Sequence, residues 1–316
     1  MARRTGQILS IVLALVAVIA AVTVVGDVRA VRARLGGFGW WALAAALGLA
    51  SLNYVLRFVR WQLYLRDRQV TVPAGDSALV FVAGFSMAIT PGKVGELLKS
   101  YLLRELADVP VATSAAVVMG ERVNDLLALL AVATVGVAVH GVAGGVVAAA
   151  AIVIGLGFTF LLWKDLARGT IDLVTRPARL QRLRPKLHDL YAALLALSRP
   201  SVLAWSTALA MGAWAAEGLA FALIVRAFPG AHIALGLALV IYAATTIAGA
   251  LSFLPGGLGV TEGAMTLLLV ENAVGVDKGT ATAATLVTRF ATLWFAVAIG
   301  AVALVWVRRR IAARAR

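Results

Sequence analysis

The sequence predicts an all-α polytopic membrane protein: six full spans plus two re-entrant broken helix hairpins, arranged as an inverted-topology repeat. Three observations carry this. Of the 316 residues, 62% are hydrophobic and only 14% charged, with a mean hydropathy of +0.94, whereas a soluble domain carries about 45–50% apolar and about 25% charged residues. Apolar runs of roughly 20 residues, the length that crosses a bilayer, recur along the chain. Two further apolar regions are each interrupted by a Pro-Gly motif with a glutamate a few residues on. The absence of cysteine excludes disulfides, thiolate metal sites and a cysteine nucleophile. His140, His188 and His232 lie far apart in sequence, so neither a histidine-built metal site nor a cofactor is expected.

In chain order, a first repeat over 1–140 would hold spans 7–25, 38–65 and 111–139 with a hairpin over 77–106. A second, over 141–316, would hold spans 142–163, 201–228 and 280–307 with a hairpin over 234–270. The apolar run after Arg3 and Arg4 exceeds the usual core of a cleaved signal peptide, which is about 7–15 residues, and reads as a retained anchor. Each hairpin follows from its break. Proline removes a helix hydrogen bond and glycine frees the backbone, and irregular backbone at membrane depth persists only inside protein or beside a wet cavity. In the first hairpin the break is Pro91, Gly92, Lys93, Val94, Gly95 and Glu96. In the second it is Pro255, Gly256, Gly257, Leu258 and Gly259, with Glu262 following.

Charge sets the topology. The loop over 164–200 carries eight basic residues and the tail over 308–316 five, so both belong on the cytoplasmic side, as does the N-terminus. Two full spans between loop and tail already return the chain to that side. The 234–270 region must therefore enter and leave from outside, while 77–106 opens to the cytoplasm. Arg29, Arg32 and Arg34 fall outside on this scheme and are outweighed. The localisation is a cytoplasmic, bacterial inner membrane. In the loop, Leu180, Leu183, Leu187, Leu190 and Leu194 recur at helical spacing among basic residues, which suits an interfacial helix on anionic lipid starting near Pro185. With no RNA or DNA module beside the charge, nucleic-acid binding is not expected.

The halves also match. Pro91 precedes Arg122 by 31 residues and Pro255 precedes Arg289 by 34. Inverted repeats with interrupted segments in matching positions are a plan of secondary transporters, whose substrate site lies between the breaks. Charges inside apolar segments are costly and are usually paired or functional. Arg122 and Arg289, with Lys93, are expected to line a polar cavity for an anionic group such as phosphate, matched by guanidinium forks and helix N-termini. Glu96 and Glu262 would neutralise the arginines or carry a proton, or simply lock each hairpin through Glu96–Arg122 and Glu262–Arg289. Glu121 and Asp125 adjoin Arg122 on one helix. Arg57 and Arg60, beside Trp61, would snorkel to headgroups with Trp61 in an aromatic belt, or capture a headgroup at the inner entrance. Glu217 is a buried acid, held by a hydrogen bond or able to carry a proton.

Arg57-x-x-Arg60-Trp61, Pro91-Gly92-Lys93-Val94-Gly95-Glu96, Glu121-Arg122-x-x-Asp125, Pro255-Gly256-Gly257-Leu258-Gly259-x-x-Glu262-Gly263 and Arg289 resemble the lysylphosphatidylglycerol synthase transmembrane region, or flippase-like, family over roughly residues 40–305. The resemblance implies a translocase module for a lipid or lipid-linked substrate. In full synthases a soluble aminoacyl-transferase domain follows this module; none follows the last span here, so synthase activity is not carried over. The resulting expectation is a non-enzymatic, flippase-like transporter for an anionic phospholipid or a polyprenyl-phosphate-linked substrate, with membrane lipids as partners. Two alternatives stand beside it: a membrane-embedded transferase using Glu96, Glu121 or Asp125 as base, and a scaffold subunit for a cell-envelope enzyme.

Overall fold

Helices make up the structure, a computed structural model that describes residues 28–90, 95–140, 152, 159, 163–177, 181, 184–196 and 199–314. Among them are no strands, only an isolated antiparallel bridge between His232 and Val274. The expected spans 7–25 and most of 142–163, together with Pro91, Gly92, Lys93 and Val94, lie outside the described residues.

Helix α1 (Val28–Leu35) precedes α2 (Trp41–Asp67). A first broken unit follows: α3 (Ala74–Gly84) running into a 3-10 turn (Phe85–Met87), then α4 (Leu98–Ala107). Next come the long α5 (Val111–His140), the shorter α6 (Lys164–Val174) and α7 (Arg184–Ala196), and the long α8 (Pro200–Arg226). The second broken unit is α9 (Leu235–Leu251), a 3-10 turn (Pro255–Gly257) and α10 (Val260–Asn272). The chain closes with α11 (Lys278–Arg289), a π-helical stretch (Phe290–Trp294) and α12 (Phe295–Arg314). Among the described residues, four continuous stretches are long and apolar enough to cross a membrane: Trp41–Asp67, Val111–Val139, Ser201–Arg226 and Lys278–Arg314. Ala74–Met87 and Leu235–Leu251 are apolar but shorter.

Polarity is distributed as a lipid solvent demands. Leu52, Val55 and Val59 on α2, Val135 and Val139 on α5, and Val302, Val305 and Trp306 on α12 are exposed, whereas Arg60, Lys99 and Glu121 are fully buried. Charged groups are kept from hydrocarbon and apolar ones face it. Helices approach closely where side chains vanish. A Cβ on Gly300 of α12 would collide with the Ser86 backbone nitrogen, and one on Gly136 of α5 would lie 2.6 Å from the Gly236 carbonyl oxygen on α9. Small residues at such crossings are the usual means of packing helices in membranes.

Each broken unit has its two ends tied together. Arg314 donates to Asp76 Oδ2 at 2.8 Å, at the start of α3, and to the Leu106 carbonyl at 2.5 Å, at the end of α4. Arg310 also pairs with Asp76. In the second unit the chain before α9 and the chain after α10 meet in the His232–Val274 bridge. These two closures sit at different ends of α2. Near its C-terminus, Trp61 Nε1 donates to Ser77 Oγ of α3 at 3.1 Å. Before its N-terminus, Gly39 N donates to the Ala227 carbonyl at 2.9 Å, beside the loop that leads to His232. In the basic loop, Asp172 of α6 accepts from Arg184 Nε at 2.7 Å and bonds His188 Nε2 at 2.8 Å, and the helix starting at Arg184 has Pro185 in its first turn, where proline fits a helix best.

Two outcomes test this packing. Gly300→Val should lower stability by about 1–3 kcal/mol, the usual range for overpacking, read as a fall in the detergent unfolding midpoint; an unchanged midpoint would mean the α12 crossing is not tight. Asp277 caps α11 by accepting from Thr280 N at 2.8 Å, and that backbone bond first, then the Arg34 charge, hold its carboxyl below the usual range. A depressed carboxyl stabilises the fold above its unfolded value of about 3.9 and loses that contribution as pH falls through the lower folded value. Asp277→Asn, still a capping residue, should therefore unfold with a weaker acid dependence than the native chain below about pH 4.

Candidate functional site

Two acids one helical turn apart on α5, Glu121 and Asp125, face α2, α4 and α8 and collect basic side chains from α2 and α4. Arg60 Nη1 lies 2.7 Å from Asp125 Oδ1, and its Nη2 lies 3.7 Å from Glu121 Oε1. Asn124 Oδ1 accepts from Arg60 Nη1 at 3.1 Å, and Asn124 Nδ2 donates in turn to Thr207 of α8 at 2.9 Å. Lys99 Nζ donates to Glu121 Oε2 at 2.5 Å and lies 3.8 Å from Glu96 Oε2. Its ammonium also stands 4.8 Å from the Trp61 ring centroid and 5.2 Å from that of Phe81, a favourable cation–π arrangement. Arg122 Nη2 joins Glu96 Oε2 at 3.1 Å and Asp125 Oδ2 at 2.8 Å. Arg57 reaches Asp125 at 4.0 Å and packs over Phe85 and Trp214. Trp214 Nε1 donates to Asp125 Oδ1 at 3.3 Å. Four cations thus share three carboxylates.

This overturns one expectation. Arg57 and Arg60 do not snorkel, and Trp61 is not in an aromatic belt: Arg60 and Trp61 are 0% exposed and Arg57 is 8% exposed. The physical reason is rotational. Both arginines sit on the face of α2 turned toward α5, where carboxylates compensate their charge within reach. Distance from the end of the helix does not reveal that face.

The second unit is built differently. Arg289 Nε lies 2.6 Å from Glu262 Oε1, and Arg289 Nη2 donates to the Gly256 carbonyl at 2.6 Å. Gly259 N donates to Glu262 Oε2 at 2.6 Å. These bonds form a closed ring around the break, through Gly256, Arg289, Glu262 and Gly259. Gly256 and Gly259 have φ of 61° and 84°, backbone that side-chain-bearing residues rarely adopt. On the first unit's break, Gly95 N donates to Thr90 Oγ1 at 2.7 Å, while the Thr90 hydroxyl donates to the Met87 carbonyl at 2.7 Å. The two breaks approach each other: a Cβ on Gly256 would lie 3.4 Å from Ile89 Cγ2, and Ile89 packs with Leu258 and Val297.

Between the units lies a cavity of about 320 Å³. Arg57, Arg122 and Arg289 line it, with Glu96, Asp125 and Glu217, and so do Gly256 and Gly257. Arg60, Lys99, Glu121 and Glu262 stand behind this wall through their ion pairs. Pro91, Gly92 and Lys93 lie outside the described residues. Tyr54, Trp214 and Tyr242 also form the wall, and the sequence reading missed all three. Tyr242 donates to Glu217 Oε2 at 2.5 Å, the buried hydrogen bond that was one of two readings of this acid. Tyr54 donates to the Thr292 carbonyl at 3.0 Å, inside the π-helical stretch that follows Arg289; such stretches free backbone carbonyls and recur at functional sites. Neutral aromatics carry no charge anomaly in an apolar run, so only Glu217 left a signal for this part of the wall.

Residues 7–300 match the family described as Lysylphosphatidylglycerol synthase TM region. The chain belongs to that family. It is also similar to a UPF0104 membrane protein of Methanothermobacter thermautotrophicus, 25% identical over 287 residues that cover 82% of this chain and 83% of that relative. Family and composition together make it a membrane protein in contact with lipid, built on the membrane module of lysylphosphatidylglycerol synthase type.

The buried charges give a stability test. Glu121→Ala removes the hydrogen-bonded carboxylate of Lys99, leaving it Glu96 at 3.8 Å, and one partner of Arg60, and should cost up to about 3–5 kcal/mol, the usual penalty for breaking a buried ion pair. Lys99→Met combined with Glu121→Leu should recover much of that loss, because both charges leave together. Unfolding in detergent measures both; equal losses for the single and double variants would mean that the pair is not electrostatically coupled.

Proposed function

We propose that this protein is a flippase-like transporter in a bacterial cytoplasmic membrane, moving an anionic phospholipid or a polyprenyl-phosphate-linked substrate. Its headgroup binds in the cavity between the two broken units. One observation carries the reading: Arg122 and Arg289, each held by a glutamate of its neighbouring broken unit, line the same cavity. An ionised phosphate offers oxygens that match guanidinium forks; when it replaces Glu96 and Asp125 on Arg122, those carboxylates keep Lys99 and Arg60, and when it replaces Glu262 on Arg289, the displaced Glu262 takes up a proton. Exchange of one anion for another in a dry site costs less than creating a charge there, because the cations remain paired before and after.

On this reading the two units are re-entrant hairpins opening to opposite faces, in an inverted repeat. Support comes from the tied ends of each unit, one closed by Arg310 and Arg314 and the other by the His232–Val274 bridge. The basic tail and basic loop orient the first closure and both termini toward the cytoplasm. Transport then consists of exposing the cavity alternately to each side, with the broken units as moving parts and the long helices as frame.

Liposomes carrying the purified protein and a fluorescent phosphatidylglycerol provide the test. The native chain should bring inner-leaflet probe to the surface, where an impermeant quencher reaches it. Arg122→Ala and Arg289→Ala should each reduce that rate at least tenfold. Native rates with both arginines removed would discard the site.

A further inference from the structure

We propose that the cavity opens sideways into the bilayer through a slot between α5 and the C-terminal end of α9, and that this slot holds the hydrocarbon chain of the substrate. The inference rests on the function proposed above and deepens it by assigning the place where the hydrocarbon chain of that substrate sits. A water-soluble anion has no use for such a slot.

The two helices pack against each other. At one end they are pinched: a Cβ on Gly136 of α5 would lie 2.6 Å from the Gly236 carbonyl oxygen and 2.9 Å from Val240 Cγ2 on α9. Ten residues back along α5 stands Leu126, and at the far end of α9 stands Leu251. Both line the cavity, as does Leu254 beyond the helix end. These three side chains are exposed, at 40%, 64% and 44%, and Phe253 between the last two is exposed at 71%. The cavity wall is therefore continuous with an exposed, wholly apolar rim at this place, while its deep side carries the arginines.

Depth decides what the rim faces. Leu126 lies near the middle of α5, whose 30 residues span about 45 Å at 1.5 Å per residue. Exposed leucine at the centre of a spanning helix faces acyl chains and not water, since the hydrocarbon layer is about 30 Å thick. An opening there admits lipid from the side. A polar lining at one end and an apolar slot at the other have the polarity of a phospholipid or polyprenyl phosphate laid in the plane of the membrane, headgroup inward. Keeping the chain in hydrocarbon throughout means that only the headgroup has to cross by way of protein. Its charge is met by Arg57, Arg122 and Arg289 on the cavity wall.

Blocking the slot tests the inference. Leu126→Trp with Leu251→Trp fills it from both sides. Because the chain contains no cysteine, Leu126→Cys also offers a single thiol that can be alkylated with a phenylmaleimide after the protein has folded in detergent. The doubly substituted protein should move fluorescent phosphatidylglycerol at least tenfold more slowly than the native chain, and alkylated Leu126→Cys at least tenfold more slowly than the same protein before alkylation. Transport within twofold of native by the alkylated protein, with Arg122→Ala still inactive, would overturn the slot and leave the transport reading intact. Equal lipid movement by the native chain and Arg122→Ala would remove that reading and the slot with it. Uptake of inorganic phosphate by the native chain that survives alkylation would assign the cavity to a soluble anion and overturn the slot.

Discussion

The place where this chain concentrates its charge is buried, so those charges must satisfy one another. Glu121 and Asp125, a single turn apart on α5, are the centre of that arrangement. Arg60 brings in α2, Lys99 brings in α4, and Arg122 brings in Glu96 at the edge of the first break. A buried ion pair need not add net stability, because desolvation offsets much of the Coulomb attraction. What it adds is position: each cation has only one place where its cost is met. The helices that carry them inherit that restriction.

The two broken units solve the same problem with different means. In the first, Arg122 is one member of a knot of seven charges that ties three helices and the edge of the break together. In the second, Arg289 has one acid, Glu262, and one backbone carbonyl, Gly256. That ring is local, confined to the break and the helix beside it, whereas the knot reaches across the bundle. On the proposed transport cycle, the difference implies that the second break can adjust without disturbing distant helices. The π-helical stretch after Arg289, with its Thr292 carbonyl held by Tyr54, is a further place where local backbone can adjust.

Packing by glycine has a consequence beyond closeness. Helices α5 and α9 touch at Gly136 and Gly236, where the missing side chain lets a backbone carbonyl of one helix reach the other. At the crossing of α12 on the Phe85–Met87 turn, Gly300 allows backbone to meet backbone, and Phe85 is thereby held against Arg57 and Tyr54. Small residues thus place the walls of the cavity even though none of their own atoms carries its chemistry.

Much was legible in the sequence because its signals are one-dimensional. Composition alone determined a membrane protein, since no soluble fold covers so much apolar surface. Proline and glycine determined where helices break, because their backbone limits act within a few residues. The Glu96–Arg122 and Glu262–Arg289 pairs could be read from matched spacing beside two like motifs, and both form. The burial of Arg57, Arg60 and Trp61 could not, because a lone pair of arginines near a helix end fits snorkelling as well as pairing until the facing helix is known. Lys99 at Glu121, Tyr242 at Glu217 and the place of Leu126 on the cavity wall are equally invisible along the chain. They depend on which faces of separate helices meet, and helix rotation is set by packing across the bundle, where residues far apart in sequence come within a few ångströms of one another.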